Sequence, residues 1–125
     1  HDISKLTKAC ISCNSNTVHE EIIKVELPPD ILTIVINRFD HGLLGARNKY
    51  SIHLDREILV VSDKYILIGS IHHHGNTVTS GHYTSNIFYP DSAYVCNDNH
   101  ITPLTHFEAS NSVYIAFYKR QLVIN

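Results

Sequence analysis

The stretch "YILIGSIHHHGNTVTSGHYTSNIFYPDSAYVCND", residues 65–98, decides the fold of this 125-residue chain. It holds three runs rich in β-branched and aromatic residues, a composition typical of strands. The runs 64–74 and 81–89 are separated by a loop of Gly, Asn, Ser and Thr, which predicts an antiparallel hairpin. The Tyr-Pro-Asp-Ser turn at 89–92 then predicts that the third run, 93–98, returns alongside the second.

This folding pattern brings His82 close to Asn97 and Asp98, because His82 precedes the turn by about as many residues as the Asn-Asp pair follows it. The imidazole N–H can then donate to an oxygen of Asn97 or Asp98, which fixes the ring tautomer and orientation. Such a pair is half of a Cys-His-Asn/Asp catalytic arrangement. Gly81 removes a side chain beside His82 and lets a substrate backbone approach. A metal site and a histidine-rich polar hairpin are the alternatives.

The rest of the chain adds strands to the same unit. "ILTIVINRF" (31–39) is nearly continuous and β-branched, which predicts a strand buried on both faces. The other strand-like runs are 20–27, 51–61 and 112–120, and residues 103–109 are the best candidate for a short helix. No repeat or linker divides the chain, so we expect one mainly antiparallel β domain.

Composition narrows the function classes. Hydrophobic residues make up 43% and charged residues 18%, which are globular values. The net charge of −2 gives no basic surface for nucleic acid, and no apolar run is long enough to span a bilayer. Three cysteines, two of them in one Cys-x-x-Cys, favour a reducing compartment. Because the chain begins with His1 and holds no methionine, we expect it to be a piece of a longer protein.

His72, His73 and His74 form a run that invites a metal hypothesis. Consecutive strand residues alternate between faces, so at most two of these side chains can converge on one ion. A polar strand end that leads into a loop is the preferred interpretation.

Four blocks of the sequence carry a family resemblance. They are "LPPDILTIVINRF" (27–39), "YILIGSIHHHGNTVTSGHYTSNIFY" (65–89), "AYVCNDNHITPL" (93–104) and "SVYIAFYKR" (112–120). In order and spacing they resemble the C-terminal half of the ubiquitin-specific protease catalytic domain, over roughly residues 6–120. The resemblance implies a mainly β fold: the antiparallel palm sheet of a papain-like cysteine protease (residues 31–125) within an α+β parent, preceded by a remnant of the fingers region (residues 1–30).

The resemblance also implies a reaction, namely hydrolysis of the isopeptide bond after the C-terminal glycine of ubiquitin. His82 matches the general base, Asn97 the third catalytic position, and Asp98 the neighbouring acidic residue that supports the site. The positions expected to border the substrate are Gly81, Tyr83 and His74. The implied partners are ubiquitin and ubiquitinated proteins, with no nucleic acid or membrane, in the cytoplasm or the nucleus.

The nucleophile of that family lies in a Gly-Asn-x-Cys box, which this sequence does not contain. Cys96 adjoins Asn97 on a strand, so we expect its side chain to be buried on the opposite face, as a core residue. The nucleophile is then expected upstream in a longer parent, and the 125 residues alone are expected to be inactive. The alternative is a catalytically inactive ubiquitin-binding module derived from such a protease; an unrelated β-sandwich interaction domain is a third interpretation.

Cys10 and Cys13 are half of a zinc site, since a structural zinc is usually held by four ligands. In the family resemblance this pair corresponds to the second half of a zinc ribbon in the fingers, whose partner pair would precede His1. The sequence therefore predicts possible structural zinc in the parent, weak zinc binding by this chain, and no cofactor for catalysis. His19 is a conceivable third ligand, although an exposed strand-start histidine is the safer interpretation.

Overall fold

The computed structural model describes residues 2–9, 16–23, 28–39 and 46–122. These residues contain nine strands: β1 (Asp2–Ala9), β2 (Asn16–Ile23), β3 (Ile31–Val35), β4 (Glu57–Val60), β5 (Asp63–Thr77), β6 (Ser80–Phe88), β7 (Ala93–Asn97), β8 (His100–Pro103) and β9 (Val113–Arg120). β1 and β2 form a two-stranded sheet, and the other strands form one sheet in the order β3-β9-β5-β6-β7-β8, with β4 paired to β5. Every pairing is antiparallel, so the predicted mainly β fold is confirmed.

The long strand β5 organises the larger sheet, because it pairs with β4, β6 and β9. Its alternation places Tyr65 and Leu67 in a buried cluster with Phe88, Ala93, Ala116 and Tyr118. The hydroxyl of Tyr118 donates to the Asp55 carbonyl at 2.7 Å, so its polar end is satisfied inside the apolar cluster. This core fixes the strands that carry the candidate site.

The strand prediction for residues 31–39 is wrong in length and in burial. β3 ends at Val35 and, within the described ranges, pairs with β9 alone at the edge of the sheet, and its Ile34 and Val35 are exposed. Beyond it the chain turns inward at Arg38, which is 1% exposed. The Arg38 guanidinium donates to the carbonyls of Val113 (2.5 Å), Tyr50 (2.7 Å) and Ser110 (3.1 Å).

The predicted helix at 103–109 is also wrong, and the described residues contain no helix. β8 ends at Pro103, and the Leu104 N–H then donates to the Ala93 carbonyl at 2.8 Å. Phe107 packs against Phe88 and beneath the Arg56 guanidinium. These tertiary contacts outweigh a weak local helix propensity. Within the described ranges, no helix has the length and apolar character needed to cross a membrane.

Candidate active site

The hairpin β6–β7 brings His82 and Asn97 together, as the position of the turn predicts. The Tyr89 N–H donates to the Ser92 carbonyl at 2.8 Å, which closes the turn, and the ladder begins at Phe88 opposite Ala93. It continues to Ser85 opposite Cys96, so Asn97 lies one step beyond the last pair. His82 Nε2 and Asn97 Oδ1 are 2.6 Å apart.

The chemistry of this contact fixes the ring tautomer. An amide oxygen only accepts hydrogen bonds, so His82 Nε2 carries the proton and donates. In the neutral form of the ring the lone pair is then on Nδ1, which has no hydrogen-bond partner among the described residues. Because the His82 side chain is exposed, this nitrogen is open to a group outside the described chain. The arrangement presents an oriented base.

Asp98 does not take part in this contact. It follows Asn97 in the two-residue turn between β7 and β8, with a backbone φ of 53° in the left-handed region that Asp tolerates. Its side chain is exposed and makes no hydrogen bond within the part of the chain that the structure describes. The orienting oxygen is therefore that of Asn97, and a supporting role for Asp98 remains a prediction.

Gly81 is required by the chain's own packing. Its φ is 133°, and an added Cβ would lie 2.3 Å from the His74 carbonyl oxygen and 2.9 Å from His73 Nε2. The space beside His82 that the sequence assigned to a substrate is thus bordered closely by β5. Contact between Gly81 and a substrate remains a prediction.

His74 and Tyr83, the other two positions predicted to border the substrate, lie on different faces of the sheet. His74 pairs directly with His82 across the β5–β6 ladder and is exposed. Tyr83 is 50% exposed and packs edge-on against His73, with ring centroids 4.9 Å apart. The structure therefore places His74 beside the candidate base and Tyr83 over the opposite face, and neither arrangement tests a substrate contact.

His72 belongs to a buried polar network that the sequence analysis missed. Its Nε2 lies 3.1 Å from Asn86 Nδ2 and 2.9 Å from Ser70 Oγ, and its Nδ1 lies 2.9 Å from Ser112 Oγ. The amide nitrogen can only donate, so Nε2 accepts and the Nδ1–H donates to Ser112. Burial, with smaller contributions from His74 and Arg38, lowers the pKa of His72 to about 4. His72 is therefore neutral at physiological pH.

A signal for this network was present in the sequence. In the predicted hairpin, alternate residues of each strand share a face, so Ser70 and His72 face the same way as Thr84 and Asn86. A polar group on every second residue of two paired strands indicates hydrogen bonding between those strands. The interpretation of His72 and His73 as a polar strand end is wrong, because they are 8% and 1% exposed.

His73 points to the other face of the sheet. Its ring packs edge-on against Phe39, with centroids 5.3 Å apart, and its Nε2–H donates to the Ser80 carbonyl at 3.1 Å. His72 and His74 share the opposite face. Among the described residues, no group of three His, Cys, Asp or Glu side chains is arranged to hold a metal ion.

Cys96 lies on a described strand, whereas Cys10 and Cys13 do not. Cys96 is a free thiol on β7 and only half-buried, so it is more accessible than the predicted core residue. Strand alternation places it on the face opposite Asn97. Cys10 and Cys13 lie outside the described residues. The predicted half zinc site, and the side chain of His19 with it, remain untested.

Comparison with known proteins identifies the family. The family model described as "Ubiquitin carboxyl-terminal hydrolase" matches residues 4–118. The chain belongs to the ubiquitin carboxyl-terminal hydrolase family. It is 32% identical, over 89% of its length, to ubiquitin carboxyl-terminal hydrolase 25 of Arabidopsis thaliana, and 44% identical, over 47% of its length, to ubiquitin carboxyl-terminal hydrolase A of Dictyostelium discoideum. It spans 18% and 7% of the lengths of these two relatives.

Solved structures show the same fold. The SAGA Ubp8/Sgf11/Sus1/Sgf73 DUB module bound to ubiquitin aldehyde aligns with 99% of this hydrolase-family chain at a TM-score of 0.74 and 21% identity, over 32% of the matched chain. A protein described as an essential yeast splicing factor aligns with 76% of it at a TM-score of 0.64 and 18% identity, over 26% of the matched chain. The sheet is thus shared by proteins with different described roles.

Proposed function

We propose that this chain supplies the base-bearing half of a thiol-dependent deubiquitinase, which in the complete protein hydrolyses the isopeptide bond after the C-terminal glycine of ubiquitin. The observation that supports this most directly is the 2.6 Å contact between His82 Nε2 and Asn97 Oδ1, which leaves Nδ1 as an exposed base. In this proposal the activity belongs to the complete protein, and this chain supplies its acid–base residues.

In the proposed mechanism, His82 Nδ1 takes the proton of a cysteine thiol and forms a thiolate–imidazolium pair. The thiolate attacks the isopeptide carbonyl, and the His82 imidazolium then donates its proton to the departing lysine amine. Water, deprotonated by the same ring, hydrolyses the acyl-enzyme. Asn97 holds the ring throughout by accepting from Nε2. Cys96 is a poor candidate for the nucleophile, because strand alternation directs it away from the His82 face, so the thiol is proposed to come from another segment.

Ubiquitin is the proposed partner. A solved structure with this fold is described as bound to ubiquitin aldehyde, a fact about that protein that supports the same ligand here. We further propose that His74, Tyr83 and Gly81 border the path of the ubiquitin C-terminal tail and that Asp98 supports the site. Structural zinc at Cys10 and Cys13 and a location in the cytoplasm or the nucleus belong to the same proposal.

The second candidate is a ubiquitin-binding module without hydrolytic activity. The observation in its favour is that a splicing factor shares this sheet, so the fold does not by itself assign hydrolysis. The two candidates differ in whether an activated thiol faces His82 in the complete protein.

The test is to express the complete reading frame that contains these residues and to measure hydrolysis of a fluorogenic ubiquitin C-terminal reporter. His82→Ala should lower kcat/KM by about 10³-fold or more, because general acid–base catalysis contributes about 10²- to 10⁴-fold. The control is Lys119→Ala, an exposed residue on β9 outside the site, whose removal should leave the rate unchanged. Equal rates for wild type and His82→Ala would refute the proposal. Ubiquitin binding without hydrolysis would establish the second candidate.

A further inference from the structure

Three imidazoles share one face of the sheet beside the candidate site. His72 and His74 are alternate residues of β5, and His82 is the direct ladder partner of His74 on β6. Directly opposed residues of an antiparallel pair have Cβ atoms about 5 Å apart. His74 is therefore the closest titratable neighbour that the β5–β6 ladder gives to His82.

The His74 ring is held in place from two sides. Its Nε2 lies 2.9 Å from the Thr84 hydroxyl, and Thr84 is the next residue after His82 on the same face of β6. The His72 ring stacks beside it, with centroids 6.4 Å apart and planes inclined by 16°. His72 is itself fixed by hydrogen bonds to Asn86 and Ser112. The side chain that opposes His82 thus has a defined position.

The groups next to His74 that can carry a positive charge are imidazoles and one guanidinium. His82 faces it from β6, His72 and His73 flank it on β5, and Arg47 approaches from the segment before β4, where its Nε donates to the Gly75 carbonyl at 2.6 Å. Across the cavity of about 440 Å³ that His74 helps to line, the titratable groups are His53, His106 and Glu108. Burial first, then His82, Arg47 and His73, lower the pKa of His74.

We propose that His74 is a positioning residue for His82: a neutral imidazole, held by Thr84 directly opposite the base, that leaves the imidazolium of the reaction to His82 alone. The catalytic part of this inference rests on the proposed function. Its physical basis is that two imidazolium ions in a directly opposed pair repel each other. A cation at position 74 therefore opposes the thiolate–imidazolium pair that the reaction requires.

The coupling between the two rings can be tested without any enzymatic activity. Protonation of two interacting groups is reciprocal, so removing the His82 imidazole must make His74 easier to protonate. In NMR titrations of the histidine ring protons, His82→Gln should raise the pKa of His74, whereas the control Lys119→Gln, which removes a charge on the exposed side of β9, should leave it unchanged. An unchanged His74 titration in His82→Gln would overturn the proposal, whether or not the protein hydrolyses ubiquitin.

The catalytic consequence is tested by pH profiles of the complete protein. His74→Arg places a permanent cation opposite His82, so the alkaline limb of kcat/KM, where the imidazolium of the ion pair loses its proton, should move to lower pH by roughly 0.5 to 1 unit. The conservative variant His74→Gln should restore the position of that limb, and Thr33→Arg, which adds the same charge on the exposed strand β3, should not move it. Identical profiles for His74→Arg and Thr33→Arg would overturn the proposal. A wild type that never hydrolyses the reporter would refute the proposed function instead, and the NMR titration would still decide the coupling.

Discussion

Two neighbouring ladder pairs of the β5–β6 hairpin carry histidines on the same face of the sheet, and these histidines differ in their hydrogen bonding. The pair of His72 and Thr84 is called the inner end, and the pair of His74 and His82, nearer the turn, is called the open end. At the inner end His72 is 8% exposed and hydrogen-bonded at both ring nitrogens. At the open end His82 is exposed and bonded at one nitrogen only. The contrast shows that a histidine becomes available for chemistry when its surroundings orient the ring and leave one nitrogen free. A ring satisfied on both sides contributes to the fold.

The hydrogen bonds of His72 at the inner end also help to fix the position of His82 at the open end. His72 connects β5 to Asn86 on β6 and to Ser112 just before β9, so three segments meet at one ring. Ser112 is fixed in turn by Ser110, whose carbonyl accepts from Arg38. A buried network in which each member has a partner specifies one arrangement of its strands. The position of His82 therefore depends partly on the polar contacts of His72, which is ten residues away in sequence but on the neighbouring ladder pair of the same face.

The largest effect on the open end is expected from Gly81→Ala. An added Cβ would meet the His74 carbonyl at 2.3 Å, and the φ of 133° is strained for any residue with a side chain. We expect the free energy of unfolding to fall by about 2 to 4 kcal/mol, measured by urea denaturation. Gly69→Ala is the control, since its Cβ would lie 3.3 Å from the Asn86 carbonyl, and it should cost less than about 1 kcal/mol. If Gly81→Ala and Gly69→Ala lower the free energy of unfolding equally, the open end is loosely packed.

Asn97→Ala should separate catalysis from folding at the same end. The His82 ring loses the acceptor that fixes its tautomer, so reporter hydrolysis by the complete protein should fall about 10- to 100-fold in kcat. Thermal stability should change little, because Asn97 is exposed. The neighbouring Asn99→Ala, in the turn, is the control and should change the rate by less than about twofold. If both variants have the same rate, Asn97 does not orient the base.

His72→Gln probes the inner end, where stability is the readout. At pH 7 the variant leaves Ser112 and Asn86 imperfectly paired, and the free energy of unfolding should fall by about 1 to 2 kcal/mol. The pH dependence should change as well. The ordinary histidine pKa is 6.5 and that of folded His72 is about 4, so below pH 6.5 the unfolded wild type binds a proton that the folded state does not. Wild-type stability therefore falls between pH 6.5 and about 4, by about 2 to 3 kcal/mol from this residue.

The His72→Gln variant has no imidazole at this position to bind a proton on unfolding. The difference between its free energy of unfolding and that of wild type should therefore shrink, and can change sign, as the pH approaches 4. Urea denaturation of both proteins at several pH values between 7.5 and 4 measures the difference. His100→Gln, at an exposed site on β8, is the control and should run parallel to wild type. A constant difference between wild type and His72→Gln across this range would show that His72 is not held neutral by the fold.

The parts of the structure that local signals determine were predictable from the sequence. The loop before Gly81 and the Tyr89–Ser92 turn set the order and direction of β5, β6 and β7, and counting from the turn places His82 near Asn97. The hairpin pattern alone left the acceptor open between Asn97 and Asp98, and only the family resemblance indicated Asn97. The choice depends on the ladder ending at Ser85 opposite Cys96 and on the backbone of the following turn.

The parts that long-range contacts determine were mispredicted. The segment after Pro103 lacks a helix because Phe107 and Leu104 contact residues around β6 and β7. Among the described strands β3 has β9 as its one neighbour and lies at the sheet edge, a topological fact that a β-branched run does not reveal. The burial of His72 follows from its contact with Ser112, forty residues later in the sequence. Single-sequence patterns carry little information about such partners.

The His82–Asn97 pair and the hydrogen bonds of Arg38 also differ in contact order, which is the sequence separation of the residues in contact. His82 and Asn97 are 15 residues apart and joined by one tight turn, whereas Arg38 and the Val113 carbonyl that it holds are separated by 75. Closing a short loop costs less chain entropy and proceeds faster than closing a long one. The base and its orienting amide thus belong to a unit that can form early and re-form readily after local opening. The supporting network around Arg38 has to wait until β3 and β9, which are far apart in the sequence, have paired.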